Sequence, residues 1–174
     1  KLSYGSAGTG TMSHLSGELF KQLTGTTDVV HVPYKGAGPG IADLVSGHIP
    51  IMSPNITGQG LEFHNAGKIR ILCVNSPTRL KAAPDIPTAI EQGVPNMIGQ
   101  LFLGIYAPAK TPGPVVEKLS EASRKALAEP EFEKTLTDSG FETVSYSDDS
   151  ARKYMADEFA RWKPVIDAIG LKTL

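Results

Sequence analysis

The first 76 residues alternate between short apolar runs and segments of helical period, and this alternation restricts the fold more than any other feature. Leu2 to Tyr4 is one strand candidate and Val29 to Val32, ended by Pro33, is the next. Ile49 to Met52 reads as a third strand, at an edge or early position because of Pro50. Arg70 to Val74 reads as a fourth, buried one. Between them, Met12, Leu15, Leu19, Phe20 and Leu23 recur at helical spacing before Gly25. Ile41, Leu44 and Val45 mark a helix closed by Gly47, and residues 56–66 predict a third closed by Gly67. A β-α-β-α-β-α-β order with connections of a few residues implies an α/β fold. Its sheet is mostly parallel and doubly wound, with helices on both faces.

After Pro77 the pattern changes. Pro84, Pro87, Gly93 and Pro95 interrupt the chain, leaving room for a short helix around Thr88 to Gln92. Leu101 to Tyr106 predicts a strong strand, and Pro112 and Pro114 open a helix running to about Ala128. A helix from about Glu131 to Ser139 stops at Gly140, and Phe141 to Tyr146 predicts another short strand. Ser147 suits an N-cap, with Asp148 and Asp149 in the first turn of a long helix that Pro164 should kink or divide. Two short strands make a poor sheet alone. This third therefore reads as an incomplete second α/β lobe, and the start inside a strand reads as truncation of the chain.

Composition narrows the function. Lys plus Arg is 17 and Asp plus Glu is 18, a net charge of −1 that argues against nucleic acid as a partner. The single Cys73 cannot form an internal disulfide and reads as a small buried hydrophobe rather than a reactive thiol. Four scattered histidines do not suggest a metal cage, and no cofactor motif is complete. No apolar run is long enough to span a membrane, and the start does not read as a signal peptide.

In an open parallel sheet, ligands bind beyond the carboxyl ends of the strands. Those ends carry Ser6-Ala7-Gly8-Thr9-Gly10-Thr11, then Tyr34-Lys35-Gly36, then Ser53-Pro54-Asn55, then Asn75-Ser76. All are small, hydroxyl or amide residues apart from Tyr34 and Lys35, and none is a carboxylate. The first loop precedes a helix N-terminus and suits an anion, although Thr9 or Thr11 acting only as an N-cap explains it equally well. Lys35 could steer an anion or simply be solvated, and Tyr34 could cover a ligand while offering its hydroxyl.

Enzymatic readings fit less well. The loop lacks the lysine of a phosphate loop. Against the dinucleotide fingerprint it has Ser13 where the third glycine or alanine belongs, and Asp28 precedes the second strand instead of ending it. There is no Gly-x-Ser-x-Gly elbow, and no nucleophile stands beside a base in sequence. His14 could face loop or core, His31 reads as packed within a strand, and His48 and His64 read as solvated. An enzyme using the glycine loop on a phosphorylated or nucleotide substrate remains an alternative, as does an effector-sensing domain of a regulator.

The ordered motifs resemble one family. Tyr4 to Leu15, Val32-Pro33-Tyr34-Lys35-Gly36, Asp85-Ile86-Pro87-Thr88 with Glu91 and Gly93, and Ala107-Pro108 with Thr111-Pro112 together resemble the Bug/TctC solute-binding proteins of tripartite tricarboxylate transporters. The resemblance implies a periplasmic-binding-protein-like fold with two hinged domains. It implies a non-enzymatic role: capturing a small organic carboxylate in the periplasm for the membrane subunits of a transporter. Residues 1–100 would be the ligand-binding domain two with a hinge segment, and residues 101–174 the C-terminal part of domain one, its N-terminal part missing. Carried over by position, the ligand-binding candidates are Ser6, Ala7, Gly8, Thr9, Gly10, Thr11, His14, Tyr34, Lys35, Gly36, Ser53 and Asn55. The family often has Phe-Asp-Asn where this chain has Ser53-Pro54-Asn55, which favours a plain carboxylate over an amino acid. Phe102-Leu103-Gly104 stands where Trp-Phe-Gly is frequent, and Thr9 where Asn is frequent.

Overall fold

The computed structural model describes residues 2–144 and 148–171. Its order is β1 (Ser3–Ser6), α1 (Met12–Thr24), β2 (Val30–Pro33), α2 (Ala37–Val45), β3 (Ile51–Met52) and α3 (Gly58–Asn65). Then follow α4 (Gly113–Leu127), α5 (Pro130–Asp138) and α6 (Asp148–Ala168). The strands form one parallel sheet in the order β2-β1-β3. The chain leaves β1 toward β2 and then crosses to the other side of β1, so the sheet reverses direction between β1 and β3. The carboxyl ends of those two strands flank a topological switch point.

Side chains in β1 alternate between faces. The Tyr4 ring lies against Gly17 of α1, whereas Gly5 faces Ile49, Tyr34 and Met52, and Met52 in turn meets Gly40 of α2. Helices α1 and α2 thus cover opposite faces, as the α/β pattern requires. Glycine is needed at each of these contacts because a Cβ would overlap a neighbour. Each helix stop in this part is also local. Gly25 is a left-handed C-cap of α1, and Gly47 and Gly67 turn the chain at positive φ.

The fourth strand expected at 70–74 does not join the sheet. Val74 instead forms an isolated bridge to Thr88, with Val74 N–H donating to Pro87 O and Ala89 N–H to Val74 O, both 2.9 Å. Val74, Ala83 and Ile86 form a small core with Ile56, Leu61, Ile71 and Leu80 packed around it. The apolar run is spent on that loop core. The helix expected at Thr88–Gln92 is only a turn. Thr88 and Glu91 cap each other reciprocally, Thr88 N–H to Glu91 Oε2 at 2.7 Å and Glu91 N–H to Thr88 Oγ1 at 3.1 Å, but Gly93 at φ 87° stops propagation.

Helices α4, α5 and α6 match their expected spans. The strand expected at Leu101–Tyr106 is extended chain, with Leu103 and Ile105 73% and 80% exposed. A strand needs a neighbour, and the described residues supply none. Residues 141–144 likewise form no ladder, and the rest of that expected strand, with the Ser147 cap, lies outside the described residues. Pro164 does not divide α6. It faces solvent, as does Ala160 one turn back, so water can serve the carbonyl that the missing N–H leaves free.

The C-terminal part packs back on the N-terminal part. Trp162 and Val165 of α6 form a core with Leu15 of α1, flanked by Met12, Leu19, Ile166 and Ile169. The end of α5 abuts α3, where a Cβ on Gly58 would lie 3.0 Å from Asp138 O.

Candidate functional site

The loops after β1 and β2 form one bonded rim. Tyr34 N–H donates to Ser6 O at 3.0 Å and Gly36 N–H to Ala7 O at 2.9 Å. Ser53 N–H donates to Gly5 O at 3.0 Å, so the chain after β3 starts beside the same rim. Gly8 adopts φ 136° and Gly10 φ 79°, conformations that a side chain would strain, and a Cβ on Gly8 would sit 3.1 Å from Tyr34 O.

Several expected contact side chains are turned inward. Ser6 is fully buried. Its Oγ accepts from Gly8 N–H at 3.1 Å and lies 2.6 Å from His31 Nε2. Thr11 caps α1, accepting from His14 N–H at 3.3 Å, and its hydroxyl donates to Gly8 O at 2.7 Å. His14 is buried, neither wholly loop nor wholly core, because its Nδ1 accepts from Gly10 N–H at 3.1 Å. Ser13 Oγ accepts from Ala7 N–H at 2.9 Å. The Tyr34 hydroxyl donates to Asp43 of α2 at 2.8 Å. These groups shape the rim and are not free donors.

What remains for a guest is mostly backbone. The amides of Thr9, Met12 and Ser13 find no acceptor among the described residues, and of the three residues Thr9 is exposed, Met12 half-buried and Ser13 buried. They sit at the N-terminus of α1, where free N–H groups and the helix dipole favour negative charge. Thr9 and Gly10 are exposed, as are Lys35 and Gly36 of the second loop and Asn55 of the third. Lys35 is thus placed to add a positive charge, with no ion pair among the described residues.

Beneath the rim lies a polar cluster that sequence spacing left unconnected. The His14 and His31 rings stack at 4.0 Å and 15°, and Tyr4 stacks on His31 at 5.0 Å. The Tyr4 hydroxyl donates to Glu18 Oε1 at 2.7 Å and to His14 O at 3.3 Å, while Lys21 Nζ lies 3.0 Å from Glu18. Burial pushes the Tyr4 hydroxyl pKa well up, helped by Glu18. Burial also pushes the Glu18 carboxyl up, but bonds from Tyr4 and Lys21 outweigh it and hold the group below the usual range. Burial lowers His14, and burial with its stacked neighbour lowers His31 to about 4, so both rings are neutral near pH 7. The clues were His14, Glu18 and Lys21 at spacings of four and three on α1, and His31 in register with Tyr4.

The Ser6–His31 pair corrects the expectation that no nucleophile has a base beside it. A serine with no exposed surface cannot meet a substrate, so the pair is architectural. His64 is also not simply solvated, since its Nδ1 accepts from Ile71 N–H at 3.2 Å. Cys73 is half-buried, which raises its thiol pKa. Among the described residues no group of three or more His, Cys, Asp or Glu is placed to hold a metal, and no helix is long and apolar enough to cross a membrane. An open depression of about 550 Å³ lies elsewhere, between α3 and α5. Glu62 and Asp138 line it, a poor setting for an anion.

The fold is α/β and of the periplasmic-binding-protein type, like that of the periplasmic binding protein BugD. More particularly, residues 1–171 match the tripartite tricarboxylate transporter family receptor, TctC, and the chain belongs to that family. It is 34% identical over 167 residues to the UPF0065 protein in the tcbD-tcbE intergenic region of Pseudomonas sp. (strain P51), covering 95% of this chain and 49% of that protein. The R. palustris protein Rpa4515, solved with adipate, superposes with a TM-score of 0.86 at 31% identity. That match covers 100% of this chain and 57% of the other. MatC from Rhodopseudomonas palustris, solved with bound malate, superposes with a TM-score of 0.75 at 27% identity, covering 95% and 56%. The chain therefore spans about half the length of these relatives.

Proposed function

We propose that this chain is the rim-bearing part of a solute-binding protein that captures a small organic carboxylate, di- or tricarboxylate or a related acid, and presents it to the membrane subunits of a tripartite tricarboxylate transporter. The observation that carries the reading is the exposed Thr9 amide, with that of Met12 beside it, both without an acceptor among the described residues and placed at the start of α1 on a parallel sheet's switch point. A carboxylate needs several donors and a positive potential, and this rim offers both with Lys35 nearby. Family membership and two similar structures holding adipate and malate support the same chemistry. In this reading the guest is bound and released unchanged, which follows from membership of a family of transporter receptors.

In this proposal the protein works in the periplasm. Residues 1–100 form domain two with its hinge segment, and residues 101–174 contribute the C-terminal part of domain one. Within that division α6 reaches back onto α1, so the last helix ties the two parts together. Of the sequence candidates, Thr9, Gly10, Lys35, Gly36, Ser53 and Asn55 would face the guest. Ser6, Ala7, Gly8, Thr11, His14 and Tyr34 would hold the loop's shape.

Titration calorimetry of the natural mature protein with adipate, malate and citrate tests this. Binding of at least one, weakened by Lys35→Ala, is expected. Heat-silent titrations with all three, or turnover of a bound acid, would overturn the reading.

A further inference from the structure

The buried pair of stacked imidazoles is attached to the loop at two points. His14 Nδ1 accepts directly from the Gly10 amide, at 3.1 Å. His31 Nε2 holds Ser6 Oγ, at 2.6 Å, and that oxygen accepts from the Gly8 amide, at 3.1 Å. Gly8 and Gly10 are the two residues of this loop at positive φ, so these bonds hold its two turns. We propose that His14 and His31 are positioning residues for this loop, and that acidification releases it by turning their ring nitrogens from acceptors into donors.

The chemistry is specific to the atoms involved. A neutral imidazole has one acceptor nitrogen, and protonation removes it. A proton on His14 Nδ1 would face the Gly10 N–H donor to donor. Where the Ser6 hydroxyl donates to His31 Nε2, a proton on that nitrogen would displace the hydroxyl hydrogen from its acceptor and force this fully buried group to reorient. Two rings stacked at 4.0 Å also repel once both are charged, so the first protonation disfavours the second. The groups acting on the pair are Glu18 and Lys21 of α1 and Tyr4 of β1, bonded to Glu18. Helix α6, packed on α1, brings Glu158 and Arg161, which are 2.9 Å apart and already paired. The inference rests on the carboxylate reading only for its consequence, loss of the guest in acid.

The test is amide NMR of the 174-residue chain between pH 7.5 and 4, with adipate as the added probe. Hydrogen-exchange protection at Gly8 and Gly10, corrected for intrinsic rate, should fall about tenfold or more as the imidazole nitrogens titrate, the loss expected for one hydrogen bond. Protection of the Val74 amide, bonded to Pro87 O, should stay constant and so report that the fold persists. His14→Asn keeps an acceptor near the Nδ1 position and His31→Gln keeps one near Nε2. Both variants should retain protection at pH 7.5, His14→Asn losing the pH dependence at Gly10 and His31→Gln that at Gly8. Protection at Gly8 and Gly10 that ignores imidazole titration, or that falls only together with Val74, would overturn the proposal. If adipate produces no shift at any pH while the two amides follow the histidines, the positioning role stands, and the carboxylate reading is decided separately by calorimetry of the natural mature protein.

Discussion

Gly17→Ala sets two well-known effects against each other. In an exposed helix the exchange is stabilising by roughly 0.5–1 kcal/mol, because glycine has more backbone freedom to lose. Here a Cβ would lie 2.5 Å from Tyr4 Cζ and 2.9 Å from Cδ2, and closer still to Cε2. Carbon atoms prefer separations of about 3.5–4.0 Å, so the ring would have to move by about 1 Å. It cannot do so freely, being 4% exposed and held by its hydroxyl to Glu18 Oε1 at 2.7 Å. Overpacking costs about 1–3 kcal/mol and a bond to a charged group contributes about 1.5–3 kcal/mol. The clash outweighs the helix gain, for a net destabilisation of about 2–4 kcal/mol. Urea unfolding followed by far-UV circular dichroism measures it, as a lower midpoint at unchanged slope. In a double-mutant cycle with Tyr4→Val, the two changes should couple by more than about 1 kcal/mol, since the smaller side chain makes room. A Gly17→Ala protein as stable as the parent, or more so, would refute the placement of Tyr4 on α1.

Other expectations follow from single contacts. Thr11→Ala removes the α1 cap and the bond to Gly8 O, and should cost about 1 kcal/mol in the same unfolding assay. Trp162→Ala empties the core between α1 and α6 and removes the indole bond to Glu158, 3.0 Å. A loss of about 3–5 kcal/mol and faster proteolysis within α6 are expected. Glu91 is held by Arg79 and by the Thr88 amide, which lower its carboxyl to about 2. Its contribution should be present above the usual carboxylate range near 4.5 and fade as pH falls toward about 2; carboxyl NMR titration reads the midpoint, and an unshifted value would contradict the contact. Cys73 should react slowly with a thiol reagent at pH 8, because burial raises its pKa and disfavours the thiolate.

The helices were legible because their signals are local. An apolar stripe with a glycine stop gives nearly the same bounds for α1 in sequence and in structure, and Pro114 near the start of α4 marks that helix as clearly. Strands were less legible, since a strand exists only by virtue of its neighbour. Arg70–Val74 and Leu101–Tyr106 have similar β-forming composition to β2. Yet one is drawn into a loop core through Val74, and the other finds no ladder among the described residues. The Thr88–Glu91 capping box was visible as a spacing, but Gly93 limited it to one turn.

The site divides in the same way. Glycines and hydroxyl residues after a strand pointed to the loop that the structure folds into the bonded rim, because close backbone approach and small side chains are written in residue type. Which hydroxyls remain free is not. Ser6, Thr11 and Tyr34 are each committed to an internal partner, and that depends on alternation along β1, the register that puts His31 beside Tyr4, and the turn that brings Gly10 to His14. The chain alone determined an α/β unit with a glycine- and hydroxyl-rich loop at the head of its first helix, since periodicity and backbone freedom are properties of neighbouring residues. Only the tertiary structure decided that the loop presents backbone amides while its own side chains, with two stacked histidines, hold it in place. Those pairings join residues far apart in sequence, and local pattern carries no record of which groups will meet.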